Sequence, residues 1–478
     1  MSATTHGEES QHWITVAREF AAKFIAPRVD ALDALADPAA AFDWEIFENA
    51  HACGLTRLEV SRENGGQGAS ALLMCRVFLE LARGDLGIAT DISNRTYLSR
   101  VFEIAATPEQ RERFLPDILN DPRYLLSLAG TEPGIGSDAI MPPREPYKAR
   151  YATTAVRRDG GWSITGFKHY INSASHARLL LVLAQTDPDS SLAQGSTMFL
   201  VPAGTPGLRI GKVHDKLGER CANNAEVILE DCRVPDENII GAVNQGGAGF
   251  GLVLRRRNMY TASTAIGVGE AAYAKAVERA FSRVQGGSRL IDHDTIRLEL
   301  IRHRMNLDVA RTYIEAMASS LDDGATSATP DMFLYPKIFA GQTALSVATS
   351  AVEIHGGLGY MKGSIVEKLL RDATQFLHAH GSDRVQLLKA ARMQYDSAVV
   401  QTGYALAAGL FDGRGYANVI MEQLAASVGI VKATLHHYFR AKDEILRGIH
   451  EEFISVLLDR QEERQRLELS PADLLLAR

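Results

Sequence analysis

The chain has 478 residues, of which 46% are apolar and 23% charged, with a net charge of -7. That length exceeds one ordinary core and predicts about three structural domains. The composition excludes a disordered or fibrous chain, and the acidic balance excludes a protein that coats nucleic acid along its whole surface.

The N-terminal segment is polar and carries acids, without the layout of a signal peptide. No stretch reaches the ~20 apolar residues of a membrane helix, which predicts a soluble, cytoplasmic protein. Residues 1–125 read as helices, with apolar spacings of three and four recurring around 13–27 and 72–83. Residues 62–70 form a Gly-rich break between them. Thr107-Pro108-Glu109-Gln110 offers an N-cap, a first-turn proline and an acid.

From about 126 to 241 the texture changes to short β-branched runs, predicting a small antiparallel β domain. Asp159-Gly160-Gly161 marks a hairpin. Cys221 and Cys232 are close enough in sequence to pair, but a chain this long needs no staple, and four scattered cysteines predict reduced thiols and no metal. From 242 to 397 the helical texture returns, with amphipathic segments over 267–284, 295–321, 333–356 and 364–377. The remainder, 398–478, reads as short helices broken at Gly413, Gly415 and Gly429. The expected fold class is α+β multidomain: a helical domain, a central β domain, a four-helix bundle and a small all-α extension.

The sharpest motif is Thr131-Glu132-Pro133-Gly134-Ile135-Gly136-Ser137-Asp138. Its small residues let backbone N–H groups approach an anionic or heteroaromatic ligand, and two hydroxyls add donors. With it come 54–68 ending in a Gly-rich turn, Gly166–Ala174, and Lys216–Gly241. Arg283-x-Gln285-x-Gly287, Ile354–Tyr360 and Glu367-x-x-x-Arg371-Asp372 complete the series. In this order and spacing the chain resembles the acyl-CoA dehydrogenase family of flavoproteins over residues 10–397.

The resemblance implies non-covalent FAD, an acyl-CoA substrate, an electron acceptor such as an electron-transfer flavoprotein, and a homo-oligomer, either dimer or tetramer. By position it places Thr131, Gly136 and Ser137 on the flavin and its phosphates, Tyr170 on the isoalloxazine and Asn172 near flavin N5. It places Arg283 on the pyrophosphate across a dimer interface, Glu353, Gly356 and Gly357 at the adenosine end from the partner, and Ser382 beside the diphosphate. Three positions depart from the family pattern: Asn172 replaces Thr or Ser, Gly286 an aromatic, and Glu353 a glutamine.

The catalytic base is missing. The family Glu before the Gly of the 381–386 segment is His380 here, and the alternative helix position holds Arg257. Either His380 is the base, or it is a tolerated polar residue and α,β-dehydrogenation is lost. The second case leaves an oxidase, a monooxygenase or a desulfinase on the same scaffold. Arg255, Arg256 and Asn258 meet CoA phosphates or an acidic substrate tail, unless the cluster is a basic helix face pairing with surface acids.

Residues 415–446 resemble the helix-turn-helix of tetracycline-repressor-type regulators, matching at Met421, Leu424, Ala425, Gly429, Ile430, Thr434, Leu435, Tyr438, Phe439 and Lys442. The resemblance implies DNA contact through Lys432, Thr434, His436, Tyr438 and Lys442. The unit is short for such a regulator, and 411–447 holds five basic against four acidic residues. A DNA-binding regulatory fusion and an inert remnant both remain open.

Overall fold

The protein is described by a computed structural model covering residues 3–140, 149–246, 251–323 and 330–396, with 404, 407–408, 410–411, 416–427, 442–447 and 449–450 of the C-terminal part. It divides into two compact units, Met1–Leu387 and Leu388–Arg478. The first unit opens with α1 (Ala3–Phe20), α2 (Val29–Asp33), α3 (Trp44–Ala52), α4 (Ala71–Gly84), α5 (Leu86–Ala105) and α6 (Pro108–Asn120). Caps fix the starts: Ser70 accepts from Leu73 N at 3.2 Å, and Asp85 accepts from Ile88 N at 2.8 Å. Thr107 forms a full capping box with Gln110.

The sheet follows as β1 (Leu125–Ala129), β2 (Thr154–Arg158), β3 (Gly161–Asn172), β4 (Ala177–Gln185), β5 (Ser196–Pro202), β6 (Leu208–Val213), β7 (Asn224–Val234) and β8 (Ile239–Ile240), with a one-turn helix α7 (Leu192–Gly195). Its order is β6-β7-β3-β2-β4-β5-β8, with β1 added on β4. The predicted hairpin at Asp159–Gly161 closes with Arg158 opposite Gly161. The sheet is not purely antiparallel: β1 and β2 both run parallel to β4. Each is separated from β4 by intervening chain, β1 by all of β2 and β3 and β2 by β3, which leaves room for the crossover that parallel pairing needs.

The second helical region holds α8 (Gly251–Ser282), a small hairpin of β9 (Val284–Gln285) and β10 (Ser288–Arg289), α9 (Asp294–Asp322), α10 (Tyr335–His355), α11 (Ile365–Thr374) and α12 (Asp383–Ala391). Helix α8 begins sixteen residues before the amphipathic run that predicts it. Helix α8 packs against α4 and α5 as well as α10, and its residues 258–270 are all buried, so no single polar face marks that stretch. The two helical regions are also not separate bodies. One continuous core runs from Ala17 and Phe20 through Met74 and Phe78 to Ile266, Ala344 and Phe376. The sheet keeps its own interior around Ile164, Leu180, Phe199 and Val227.

A buried charged network ties these regions together. Lys368 of α11 donates to Asp85 and Asp372, both at 2.6 Å, while Asp372 accepts from Glu219 N at 2.7 Å. In the second unit, Ala407, Val419, Leu424, Ala425 and Ile445 form a small cluster of their own. All four cysteines are free thiols. Among the described residues no helix is long and apolar enough to cross a membrane.

Candidate active site

The Thr131–Asp138 loop is held from behind. Glu132 is buried and pairs with Lys168 of β3 at 2.7 Å. Its carboxylate also accepts from Ala152 N at 2.6 Å and Thr153 N at 3.0 Å. Burial alone would raise this carboxyl, but Lys168 and the hydrogen bonds hold it below its usual range. The carboxylate is thus a latch, a role that reading the motif for donors missed. With the latch closed, Gly134 and Gly136 face open space in which an added Cβ would meet nothing. Ser137 Oγ accepts from Ser382 N at 3.1 Å, so the loop faces the segment carrying His380 and Ser382.

Tyr170 lies at a β-bulge of β3 with a left-handed φ of 59° and is 57% exposed. Asn172, expected to donate to the flavin, donates instead to Asp91 of α5 at 2.8 Å. Asp91 also accepts from Ser173 at 2.6 Å. Burial pushes the Asp91 carboxyl up to about 7 against the pull of Ser173, Lys216 and Asn172. Beside Tyr170, His169, His214 and Glu226 each bring one ligand-capable atom within 4.8 Å of the others. No metal is expected from the sequence; this grouping comes from three separate places in the sheet, which spacing along the chain conceals.

Around position 380 the geometry is tighter. His380 has a left-handed φ of 55°, which histidine tolerates better than most side chains. Lys337, buried inside α10, pins its loop by donating to Phe376 O at 3.0 Å, Gly381 O at 3.2 Å and Asp383 at 2.7 Å. Gln386 donates to the His380 carbonyl at 2.8 Å. The ring nitrogen Nδ1 lies 2.6 Å from Thr261 Oγ1, and that hydroxyl donates to Arg257 O at 3.0 Å. Because Thr261 has one proton to give, Nδ1 must be the donor in their bond, which leaves the Nε2 lone pair free. Although His380 keeps some exposed surface, burial of its ring, then Arg257 and Lys337, hold its pKa well below the usual histidine value. The imidazole is neutral at neutral pH.

A cavity of about 20 Å³ adjoins it, lined by residues of α5 (Thr90, Asn94), α8 (Arg257, Tyr260, Thr264) and the His380 loop. That holds roughly one water molecule. Of the expected substrate contacts, Arg256 does not stand free: it lies 3.6 Å from Glu59 and 3.5 Å from Asp322, inside the protein's own charge network. Arg255 sits over the Phe333 ring, and Asn258 is buried in α8. The remaining cofactor residues, Arg283, Glu353, Gly356 and Gly357, are exposed. Glu353 borders a surface groove of about 630 Å³ with Arg302 and Ser350.

Three successive segments, 7–121, 127–232 and 247–394, match the N-terminal, middle and C-terminal domains of acyl-CoA dehydrogenases. The chain belongs to the acyl-CoA dehydrogenase family. It is 30% identical to the probable acyl-CoA dehydrogenase YngJ of Bacillus subtilis, over 80% of this chain and 97% of the relative. It is 32% identical to cyclohex-1-ene-1-carbonyl-CoA dehydrogenase of Geobacter metallireducens, over 77% and 92% respectively. Butyryl-CoA dehydrogenase from Megasphaera elsdenii superposes with a TM-score of 0.73 at 28% identity, covering 80% of this chain and 97% of that one. The protein is an acyl-CoA dehydrogenase-like flavoenzyme, and FAD is the cofactor of its family. The open glycines beside Ser137 and the exposed Tyr170 ring fit such a cofactor.

Residues 404–449 match the bacterial regulatory proteins of the tetR family, a DNA-binding family. Of the five expected DNA contacts, Lys432, Thr434, His436 and Tyr438 lie outside the described residues. Lys442 turns inward. Its ammonium donates to Tyr416 O at 2.7 Å and Val419 O at 2.9 Å and lies over the Tyr416 ring, so it braces the unit instead of reaching for phosphate.

Proposed function

We propose that the protein abstracts the α-proton of an acyl-CoA thioester with His380 as the base. The observation that carries this is the Thr261–His380 hydrogen bond, which orients the ring and leaves Nε2 as the accepting atom. Bound FAD supplies the acceptor for the β-hydride at flavin N5. Thr131, Gly136 and Ser137 hold the cofactor from the sheet side and Ser382 from the bundle side, with Tyr170 against the ring system. The backbone N–H of residue 380 polarises the thioester carbonyl, which needs no particular side chain. Arg283, Glu353, Gly356 and Gly357 act on the cofactor of a second subunit, in keeping with their exposure on this one. Electrons then pass to an acceptor such as an electron-transfer flavoprotein.

The test is anaerobic bleaching of the flavin by an acyl-CoA. His380→Gln should retain FAD and slow bleaching by about 10²–10⁴-fold, the usual contribution of a positioned base. Unchanged bleaching in that variant refutes the base assignment. In the native protein the rate should show no loss from base protonation between pH 8 and 6, because the ring stays neutral across that range.

A further inference from the structure

Beside Tyr170 the sheet brings together two imidazoles and a carboxylate that the proposed reaction does not use. Glu226 lies on β7, with His169 on β3 to one side of it and His214 just past the end of β6 on the other. Both neighbouring strands shift register opposite Glu226, β3 between Lys168 and Ile171 and β6 between Ile210 and Val213. Bulges of this kind re-aim side chains, and they cluster near functional sites. His169 Nε2 lies 3.8 Å from Glu226 Oε1, and the ligand-capable atoms of all three residues lie within 4.8 Å of one another. The second carboxylate oxygen, Oε2, accepts from Lys212 N at 3.0 Å, which fixes the group and leaves Oε1 for a ligand. His214 Nε2 is sealed from solvent with no hydrogen-bond partner among the described residues. A buried ring nitrogen without a partner is costly, and a metal ion supplies one.

We propose that His169, His214 and Glu226 bind a zinc ion, with water in the fourth position. Two imidazoles, one carboxylate and an open position form a set that zinc takes in tetrahedral geometry, at bonds of about 2.0–2.2 Å. Bonds of that length need the ligand atoms closer than 4.8 Å, so the side chains draw inward on binding. The side chains of His169 and Glu226 stay 19% and 22% exposed, which gives the ion its way in. The Tyr170 ring stacks on His169 at 4.0 Å and lies 4.8 Å from the His214 ring, while His169 N donates to Thr131 O at 2.9 Å. A bound ion therefore stiffens the Tyr170 ring and, through Thr131, the loop beyond it.

Calorimetric titration of zinc chloride into the metal-free, FAD-loaded protein tests this. A single ion should bind per chain, and X-ray absorption at the zinc edge should show nitrogen and oxygen at about 2.0–2.2 Å with no sulfur at about 2.3 Å. His214→Ala should weaken binding by more than about 100-fold, because even a group that only supports a ligand contributes about 10–100-fold. Glu226→Gln, which keeps the side chain's shape, should weaken it by about 10-fold or more and covers the case in which the histidine variant does not fold. Lack of stoichiometric binding, sulfur in the zinc shell, or native affinity in both variants overturns the site.

Discussion

Replacing Lys337 by methionine removes the one ammonium that fastens the His380 loop to α10. Its side chain is 1% exposed and that of Asp383 8%, so the loss strands a buried carboxylate and two carbonyls. Breaking a buried pair from one side costs about 3–5 kcal/mol. Asp383 begins α12, where the helix dipole returns about 0.3–1 kcal/mol to a negative charge. The net loss should be about 3 kcal/mol. Unfolding entropy of about 2.1 cal/mol/K per residue converts this to a fall of about 4 °C in Tm for a unit of this size. Differential scanning calorimetry and a urea titration should agree on it. The double variant Lys337→Met/Asp383→Asn, which removes both charges, should recover most of the loss. A single variant costing less than about 1 kcal/mol, or a double variant no better than the single, would refute the view that an ion pair sets this loop.

Two further outcomes follow from the charges and surfaces described. Asp91 has a carboxyl raised by burial to about 7, so the folded state holds its proton where the unfolded chain has already lost it. Stability is therefore lost as pH rises from about 4 to 7, and Asp91→Asn should match the native protein near pH 4 yet exceed it at pH 8 by up to about 4 kcal/mol; a difference that does not grow with pH argues against this. Along α9, Leu298, Ile301, Met305 and Val309 expose 51–60% of their surface in one apolar stripe. If this stripe forms the subunit interface of the proposed oligomer, Ile301→Glu with Met305→Glu should yield smaller species in sedimentation velocity without unfolding, and an unchanged sedimentation coefficient would refute that role for the stripe.

Sequence order carried the architecture because periodicity survives wherever an element has one buried face. Helix α9 buries one face, through Leu300, Leu307, Ala310 and Ile314, and reads plainly, whereas residues 258–270 of α8 are buried on every side and show no polar face. The Thr131–Asp138 loop was legible from its glycines, but its latch was not, since Glu132 and Lys168 lie 36 residues apart. A weak signal for the hidden supports did exist. Lys337 and Asp91 are charges inside apolar runs, and a charge there must find a partner or a task. Arg256 was expected at a ligand because it stands among adjacent arginines, and Lys442 at DNA because of the regulator motif, yet the fold engages each with internal acceptors that neither signal shows.

The single core shared by the early and late helices has a consequence for synthesis. Phe78 of α4 finds Tyr260 of α8 at 5.1 Å between ring centroids, yet about 170 residues of chain must be made between those helices. At roughly 5–20 residues per second, the apolar faces of α1 and α4 wait on the order of ten to thirty seconds for their partners. The sheet, whose strands are all complete by Ile240, can close during that interval. The nascent first hundred residues are thus the part of this protein that most needs a chaperone at the ribosome.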